Sequence, residues 1–400
     1  MPARMMSGGY AGFGGVADVD KLVLWPPPRR VAFFSRWNDS AASATAFEMA
    51  EWVRDGLVEY HSQFSAGGAS GVVVTVFASS SDDGDDHDGV GADGPTRVAA
   101  VLTEDDGDDG HHGPKGTPRH HELISASDHA MAATAMSTAD LVVCVGGDGT
   151  ILHALAAGKS GKVDVGFPPL VAFAAGTVGF LAPFDPARFR QVLGDIMLTG
   201  QGVGCTSRMR ITTRFGPRLH RRATPADRQP GVPGVRVPVP PSSSCVLNEV
   251  AITSDGVGTF ICELDGLPFS TLQGDGLLIA TPTGSTAYSL SAGGPIVSPQ
   301  LSALLFTPLS PLSLSARPLV LPPNATLRIR LADDSRHTAT VVLDGVVGEA
   351  QTLHPGEYVE LTKSMHPLVL ADVLAGERCF IDNVTSKLGW NTRWRNPADD

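Results

Sequence analysis

Short, almost wholly apolar runs alternate with amphipathic stretches through the first half of the chain. Val31-Ala32-Phe33-Phe34 reads as a buried strand, and so do Gly71 to Phe77, Leu141-Val142-Val143-Cys144-Val145 and Leu170-Val171-Ala172-Phe173. Between them, Ala44 to Tyr60 sets Phe47, Ala50, Val53 and Leu57 on one helical face, and Asp128 to Thr138 predicts a second helix. Strands this uniformly apolar are covered on both faces. In alternation with helices they predict an α/β N-terminal domain built on a parallel sheet.

After about Leu198 the pattern changes to strict alternation. In Arg208 to Phe215, Met209, Ile211 and Phe215 fall on one side and the arginines on the other, the signature of a half-buried antiparallel strand whose arginines face out. Val246 to Thr253, Thr259 to Leu264, Leu277 to Thr281, Thr326 to Leu331, Thr338 to Leu343 and Tyr358 to Leu361 follow, separated by Gly, Pro and Asp turns. The second domain is therefore expected to be β-rich and sandwich-like. The expected organisation is a flexible N-terminus over 1–29, the α/β domain over 30–198 and the β-rich domain over 199–366. A C-terminal tail over 367–400 would return to the first domain. Two stretches interrupt this pattern, an insertion rich in Asp, Gly and His over about 79–121 and a Pro/Arg-rich loop over about 216–245.

Composition adjusts this picture only locally. A chain of 400 residues suits two cores, and 42% hydrophobic residues with mean hydropathy +0.05 suit a soluble globular protein. No run approaches the ~18 apolar residues of a membrane span, so no membrane association is expected. The net charge of −12 is concentrated between residues 82 and 109, where eleven acidic residues stand against Arg97 alone. Such a block stays solvated and says little of the fold, and the chain lacks the basic footprint of a nucleic-acid binder. Five well-separated cysteines, with no C-x-x-C pair, predict free thiols in a reducing compartment. Met1 to Gly15 has neither an apolar signal core nor an Arg-rich amphipathic pattern, and a cytoplasmic location is expected.

The chemistry concentrates where the apolar run Leu141–Val145 meets Gly146-Gly147-Asp148-Gly149-Thr150 and a helical stretch from Ile151. Ligands of open α/β sheets bind at such strand-to-helix turns. Glycines let phosphate oxygens approach the backbone N–H groups, and the following helix presents its positive end. Gly146, Gly147, Gly149 and Thr150 are the candidate phosphate-binding residues, with Thr150 able to cap the helix. Asp148, between glycines without steric cover, is the candidate base that accepts the proton of an attacking hydroxyl. A helix-capping turn that happens to hold an Asp is the plainer alternative.

That five-residue run occurs in several kinase families, including NAD kinases and the diacylglycerol and sphingosine lipid kinases. The stretch from Gly274-Asp275-Gly276 through Thr281-Pro282-Thr283-Gly284-Ser285-Thr286-Ala287-Tyr288-Ser289-Leu290-Ser291 to Pro295 resembles the NAD kinase family. So do Gly176 to Leu181, Leu247-Asn248-Glu249-Val250, Leu343-Asp344-Gly345 and Leu388-Gly389-Trp390-Asn391, in that family's order and nearest its eukaryotic branch. The resemblance implies ATP-dependent phosphorylation of the adenosine ribose 2'-hydroxyl of NAD, with Mg2+ or another divalent cation. It also implies a homodimer or homotetramer. It assigns Asp148 the catalytic role and Gly149 and Phe180 the substrate's neighbourhood. Asn248 and Glu249 would hold the ribose and phosphates of NAD, and Thr286, Ala287, Tyr288 and Ser291 its two ends. Asp275 and Asp344 complete the acidic positions. No residue is assigned as a metal ligand.

The residues speak independently to parts of this. A polar pair such as Asn248-Glu249 inside an apolar strand-like run needs partners, because an unpaired buried polar group costs about 1–3 kcal/mol. Asp275 and Asp344 read equally well as turn residues, and Tyr288 as a core or interface tyrosine. The histidines His111, His112, His120 and His121 lie in the acidic insertion and do not predict a native metal site, and the Asp runs lack the closing Glu of an EF-hand. A lipid kinase would share the glycine turn without Asn248-Glu249. A non-catalytic nucleotide-binding regulator would have no use for Asp148.

Overall fold

A computed structural model describes residues 21–22, 24, 27–36, 39–64, 72–79, 97–103, 122–125, 129–157, 166–175, 179–199, 203–216, 243–372 and 376–391. The chain divides into two compact units. One comprises 1–160, 167–207 and 368–400, the other 161–166 and 208–367.

The first unit is α/β. Its nine-stranded sheet runs, edge to edge, Lys21–Leu22, Val203–Arg208, Leu368–Asp372, Leu170–Phe173, Leu141–Val145, Arg30–Ser35, Val73–Ser79, Arg97–Thr103, Glu122–Ser125. The central pairings are parallel, with Val31 opposite Leu141 and Val74, and Val143 opposite Val171. Phe33, Val143, Val171 and Phe173 are fully buried, as strands covered on both faces require. The helix Ser40–Phe64 begins at Asp39, whose carboxylate caps the Ala42 N–H at 2.9 Å, and lays Ala46, Ala50, Val53 and Leu57 on this core. A feature hidden from the sequence lies inside the acidic insertion, where Arg97–Thr103 is a strand antiparallel to Val73–Ser79. The rest of that insertion, with its histidines, falls outside the described residues, as do the N-terminal twenty residues.

The second unit is β-rich and antiparallel. Its sheet order is Ser243–Val246, Ile211–Gly216, Tyr358–Lys363, Leu327–Leu331, Glu249–Leu264, Leu267–Ala280, Leu304–Leu309, Leu319–Leu321. A register shift between Thr253 and Gly258 bends the long strand Glu249–Leu264. Its first half pairs with Ala339–Leu343 and its second with Leu327–Leu331, so one strand serves two ladders around a core of Val250, Ile252, Phe260, Ile279, Leu327 and Val341. The strands Ile211–Gly216 and Ser243–Val246 bracket the Pro/Arg-rich loop, whose residues 217–242 lie outside those described.

The outward placement expected for the arginines fails at two of three positions. Arg214 is exposed, but Arg208 and Arg210 are buried, Arg210 to 2% exposure. Arg208 ends the strand Val203–Arg208 and Ile211 begins the next, with Met209 and Arg210 between them, so no single strand alternation runs from Arg208 to Phe215. Arg210 Nη1 donates to the His366 carbonyl at 3.2 Å. No helix among the described residues is long and apolar enough to cross a membrane.

Candidate active site

The first cluster lies in the α/β unit, at the end of the buried strand Leu141–Val145. Gly146 donates its N–H to the Phe173 carbonyl at 2.8 Å, and a Cβ there would overlap the Thr150 hydroxyl. The turn therefore needs glycine for space. Gly147 and Gly149 face open space, where a phosphate can reach backbone N–H groups. The helix Asp148–Ala157 starts earlier than the sequence implied, so Asp148 sits in its first turn. Thr150 is buried in that turn and its N–H bonds the Gly147 carbonyl at 3.0 Å, which moves the capping position from Thr150 to Gly147.

Asp148 is not the uncovered side chain that its flanking glycines suggested. Its Oδ2 accepts the Phe180 N–H and its Oδ1 the Leu181 N–H, each at 2.9 Å. A Cβ on Gly179 would overlap Oδ1. The helical first turn aims the carboxylate at the segment 179–181, and glycine there lets it dock. Two N–H donors fix its plane and leave lone pairs on both oxygens for a hydroxyl proton. Phe180, expected to line a pocket, thus also contributes its backbone. Gly179 and Leu181 lay within the Gly176 to Leu181 motif but carried no assigned role. A glycine next to two apolar residues gives no hint that a carboxylate thirty positions earlier rests on it. Gly176, Thr177 and Val178 are outside the described residues.

The second cluster lies in the β-rich unit, where the strand-like run through Asn248-Glu249 is broken. Leu247 and Asn248 form a bend between Ser243–Val246 and Glu249–Leu264. Asp344 and Gly345 close the hairpin from Ala339–Leu343 to Val346–Leu353 with φ of 52° and 70°, the left-handed pair of a two-residue turn. The turn reading of Asp344 is therefore right as far as it goes. Its buried carboxylate also accepts three consecutive N–H groups, Leu247 at 2.9 Å, Asn248 at 2.7 Å and Glu249 at 3.2 Å. On the bend's other side, Thr281 Oγ1 donates to the Leu247 carbonyl at 2.6 Å and Thr281 N–H to the Asn248 carbonyl at 2.8 Å. Gly284 packs so closely that a Cβ would overlap the Asn248 oxygen.

The backbone of the bend is thus tied on both sides, while its side chains are left wanting. Asn248 Oδ1 and Glu249 Oε2 are buried and have no hydrogen-bond partner among the described residues. Burial, and secondarily the nearby Asp344 charge, push the Glu249 carboxyl up to about 8. Near neutral pH it is largely protonated and can donate as well as accept, a useful property opposite ligand hydroxyls.

Thr283–Thr286 is a 3-10 turn, followed by the one-turn helix Tyr288–Ser291. Through Gly284 this element abuts Asn248, which brings Thr286, Ala287, Tyr288 and Ser291 to the same end of the unit. Thr286 bonds its own turn, at 3.3 Å to the Thr283 carbonyl, and Ala287 is half-buried. Tyr288 is 46% exposed, which removes the core reading for it, and Ser291 is exposed as well. Asp275 stands apart. It is exposed within the strand Leu267–Ala280, opposite the bulge, five residues before the Ala280 that pairs with Glu249, or roughly 17 Å along the strand. The turn reading of Asp275 does not hold. Its flanking glycines serve close packing, since a Cβ on Gly276 would overlap the Ile252 carbonyl.

Among the described residues, no three His, Cys, Asp or Glu side chains are grouped to hold a metal ion.

Comparison with known proteins follows the division into two units. Residues 95–201 match the ATP-NAD kinase N-terminal domain and residues 247–373 the ATP-NAD kinase C-terminal domain. The NAD kinase of Methanosarcina acetivorans is 30% identical over 257 residues, covering 62% of this chain and 78% of its own. In Saccharomyces cerevisiae, the ATP-NADH kinase YEF1 is 37% identical over 64% of this chain and 49% of its own, and the NAD(+) kinase 35% identical over 64% and 46%. This chain spans about half the length of those two yeast relatives. The crystal structure of yeast NADH kinase complexed with NADH shares the fold, with a TM-score of 0.67 at 23% identity over 98% of this chain and 95% of that one.

Proposed function

The chain belongs to the NAD kinase family, and on that premise we propose that it phosphorylates the adenosine ribose 2'-hydroxyl of NAD with ATP to give NADP. The observation that carries this reading is the orphaned pair Asn248 Oδ1 and Glu249 Oε2. A bend whose backbone is tied on both sides, yet which leaves two buried side-chain oxygens without partners among the described residues, suits a ligand rich in hydroxyls. The lipid-kinase alternative rests on the glycine turn alone and leaves this pair unexplained.

In the proposed reaction the ribose 2'-oxygen attacks the γ-phosphorus while the bond to the β,γ-bridging oxygen breaks, releasing ADP. The proton of the hydroxyl passes to the Asp148 carboxylate, held in plane by the Phe180 and Leu181 N–H groups. Gly147, Gly149 and the start of the helix Asp148–Ala157 offer N–H groups to phosphate oxygens, whereas the Gly146 N–H, expected to join them, is taken by the Phe173 carbonyl and Gly146 serves the turn by its lack of a side chain. Asn248 and Glu249 bind the ribose and phosphates of NAD, with Thr286, Ala287, Tyr288 and Ser291 toward its ends. Asp344 acts by shaping the Asn248 bend. A divalent cation would arrive on the triphosphate, as such cations commonly do in phosphoryl transfer. Such a cation, Mg2+ in the first instance, supplies charge neutralisation on the phosphate oxygens.

A homodimer or homotetramer in the cytoplasm completes the proposal. The buried thiols of Cys144 and Cys262 accord with a reducing compartment. The deciding assay offers NAD, NADH, diacylglycerol and sphingosine separately with ATP or polyphosphate. NADP formation from NAD and ATP is expected; phosphate transfer to lipid alone would sink the proposal. Sedimentation of the active protein as a monomer at micromolar concentration would remove the oligomer.

A further inference from the structure

The carbonyl of Gly179 and the N–H of Phe180 belong to one peptide group, and both ends of that group are engaged. Its N–H donates to Asp148 Oδ2 at 2.9 Å, and its carbonyl accepts from the Lys387 ammonium. The same ammonium lies 5.3 Å from the centroid of the Phe180 ring. Lys387 is half-buried and directly follows the helix Gly376–Ser386. The chain turns there at Gly389, with φ of 59°, and the Trp390 N–H returns to the Val384 carbonyl at 3.3 Å. The C-terminal motif Leu388-Gly389-Trp390-Asn391 thereby ends the helix so that the preceding lysine meets the segment carrying Asp148.

We propose that Lys387 is a positioning residue for the transfer reaction, fixing and polarising the Gly179–Phe180 peptide that holds the Asp148 carboxylate. Three groups stand in series, ammonium, peptide and carboxylate. Hydrogen bonds in series polarise one another, and a charged donor makes a stronger bond than a neutral one. The ammonium draws electron density toward the Gly179 oxygen, which strengthens the Phe180 N–H as a donor to Asp148. Its attraction to the face of the Phe180 ring holds the same segment from a second side. A tail that merely tethered a helix to the sheet would need neither contact. The proposal rests on the reading of Asp148 as the base for NAD phosphorylation.

The test compares full-length wild type, K387M and K387R by NADP formation and by hydrogen exchange of the fragment containing Phe180 and Leu181. In K387M, kcat is expected to fall about 10- to 100-fold, as for a slightly misplaced catalytic group, with the KM for NAD within about 3-fold of wild type. Exchange at Phe180 and Leu181 should quicken while that of 376–386 is unchanged, and K387R should recover most of both losses. A fall in kcat without faster exchange, faster exchange without a fall in kcat, or no change in either overturns the proposal. So does equal loosening of 376–386 in both variants, which marks a mere tether. Wild type that makes no NADP overturns the functional reading instead, and the exchange comparison then still decides whether Lys387 holds the segment. Should K387M not fold, acetylation of native wild type decides. Lys387 should react markedly more slowly than exposed Lys363, because its ammonium is engaged by the Gly179 carbonyl, and equal rates overturn the proposal.

Discussion

Asp344 accepts the backbone N–H of Asn248 at 2.7 Å from a hairpin turn ninety-six positions later in the chain. One carboxylate thus closes a turn and holds the bend that presents Asn248 and Glu249. Replacing it by Ala removes the acceptor of three buried N–H groups and places a less tolerant residue at positive φ. Asp344→Ala is expected to lower stability by about 2–4 kcal/mol and raise the KM for NAD at least ~10-fold. Asp344→Asn, which tolerates the turn, should lose less stability and still bind NAD weakly. Urea unfolding beside steady-state kinetics checks both, and a D344A variant with normal KM would dissociate the turn from the site.

Asp148→Asn keeps the shape of the side chain and removes its capacity to take a proton. Turnover should drop by roughly 10²–10⁴, the usual span of a general base, while NAD still binds. Calorimetry with NAD, run next to single-turnover assays, distinguishes lost chemistry from lost binding. Undiminished turnover would take Asp148 out of the base role.

Gly179→Ala probes the same carboxylate from the other side. A Cβ there overlaps Asp148 Oδ1, so the side chain must swing away from the two N–H donors. We expect kcat to fall by about 100-fold with little change in the thermal midpoint, because a partly exposed side chain can move without opening the core. A G179A enzyme with wild-type kcat would show that the docked orientation is dispensable.

Glu249 links stability to pH in the sense opposite to most carboxylates. Its folded value is about 8 against an ordinary value of 4.5. Between those two pH values the folded protein holds a proton that the unfolded chain has released. Its contribution therefore favours folding at low pH and is lost as pH rises from about 4.5 through 8. Glu249→Gln removes the slope. Denaturation midpoints at pH 5, 7 and 9 should show the variant gaining on wild type toward pH 9, by up to a few kcal/mol on the scale of ~1.4 per pH unit. Parallel pH curves would show that Glu249 ionises normally.

The parts of the fold legible in the sequence were those whose signal is local. Leu141–Val145 and Leu170–Phe173 announce themselves because strands covered on both faces are apolar throughout, and the glycine turn stands out because it follows one of them. What stayed hidden depends on long-range pairing. Nothing near Asp344 says that its carboxylate serves Leu247 to Glu249, and nothing near Gly179 says that Asp148 lies against it. Arg210 was misjudged because alternation was extended across an interruption between strands. The turn alternative for Asp275 fails because its flanking glycines allow tight strand packing here and do not make a turn. The strand Leu368–Asp372, apolar at four of its five positions, and the helix Gly376–Ser386 went unread within the tail, although the tail's return to the first domain was expected.

The strand Leu368–Asp372 lies between Val203–Arg208 and Leu170–Phe173 in the first unit's sheet. During synthesis, the edge of Leu170–Phe173 must wait for a partner that emerges some two hundred residues later, roughly 10–40 s at usual elongation rates. The β-rich segment in between can complete its own ladders first. Until Asp372 has left the ribosome, the nascent chain carries an open strand edge beside the Asp148 turn, the kind of surface that invites intermolecular pairing. Expression of this protein should therefore be sensitive to chaperone supply and translation speed over that interval, and truncations that end before residue 368 should aggregate even though both the glycine turn and the Asn248 bend are present.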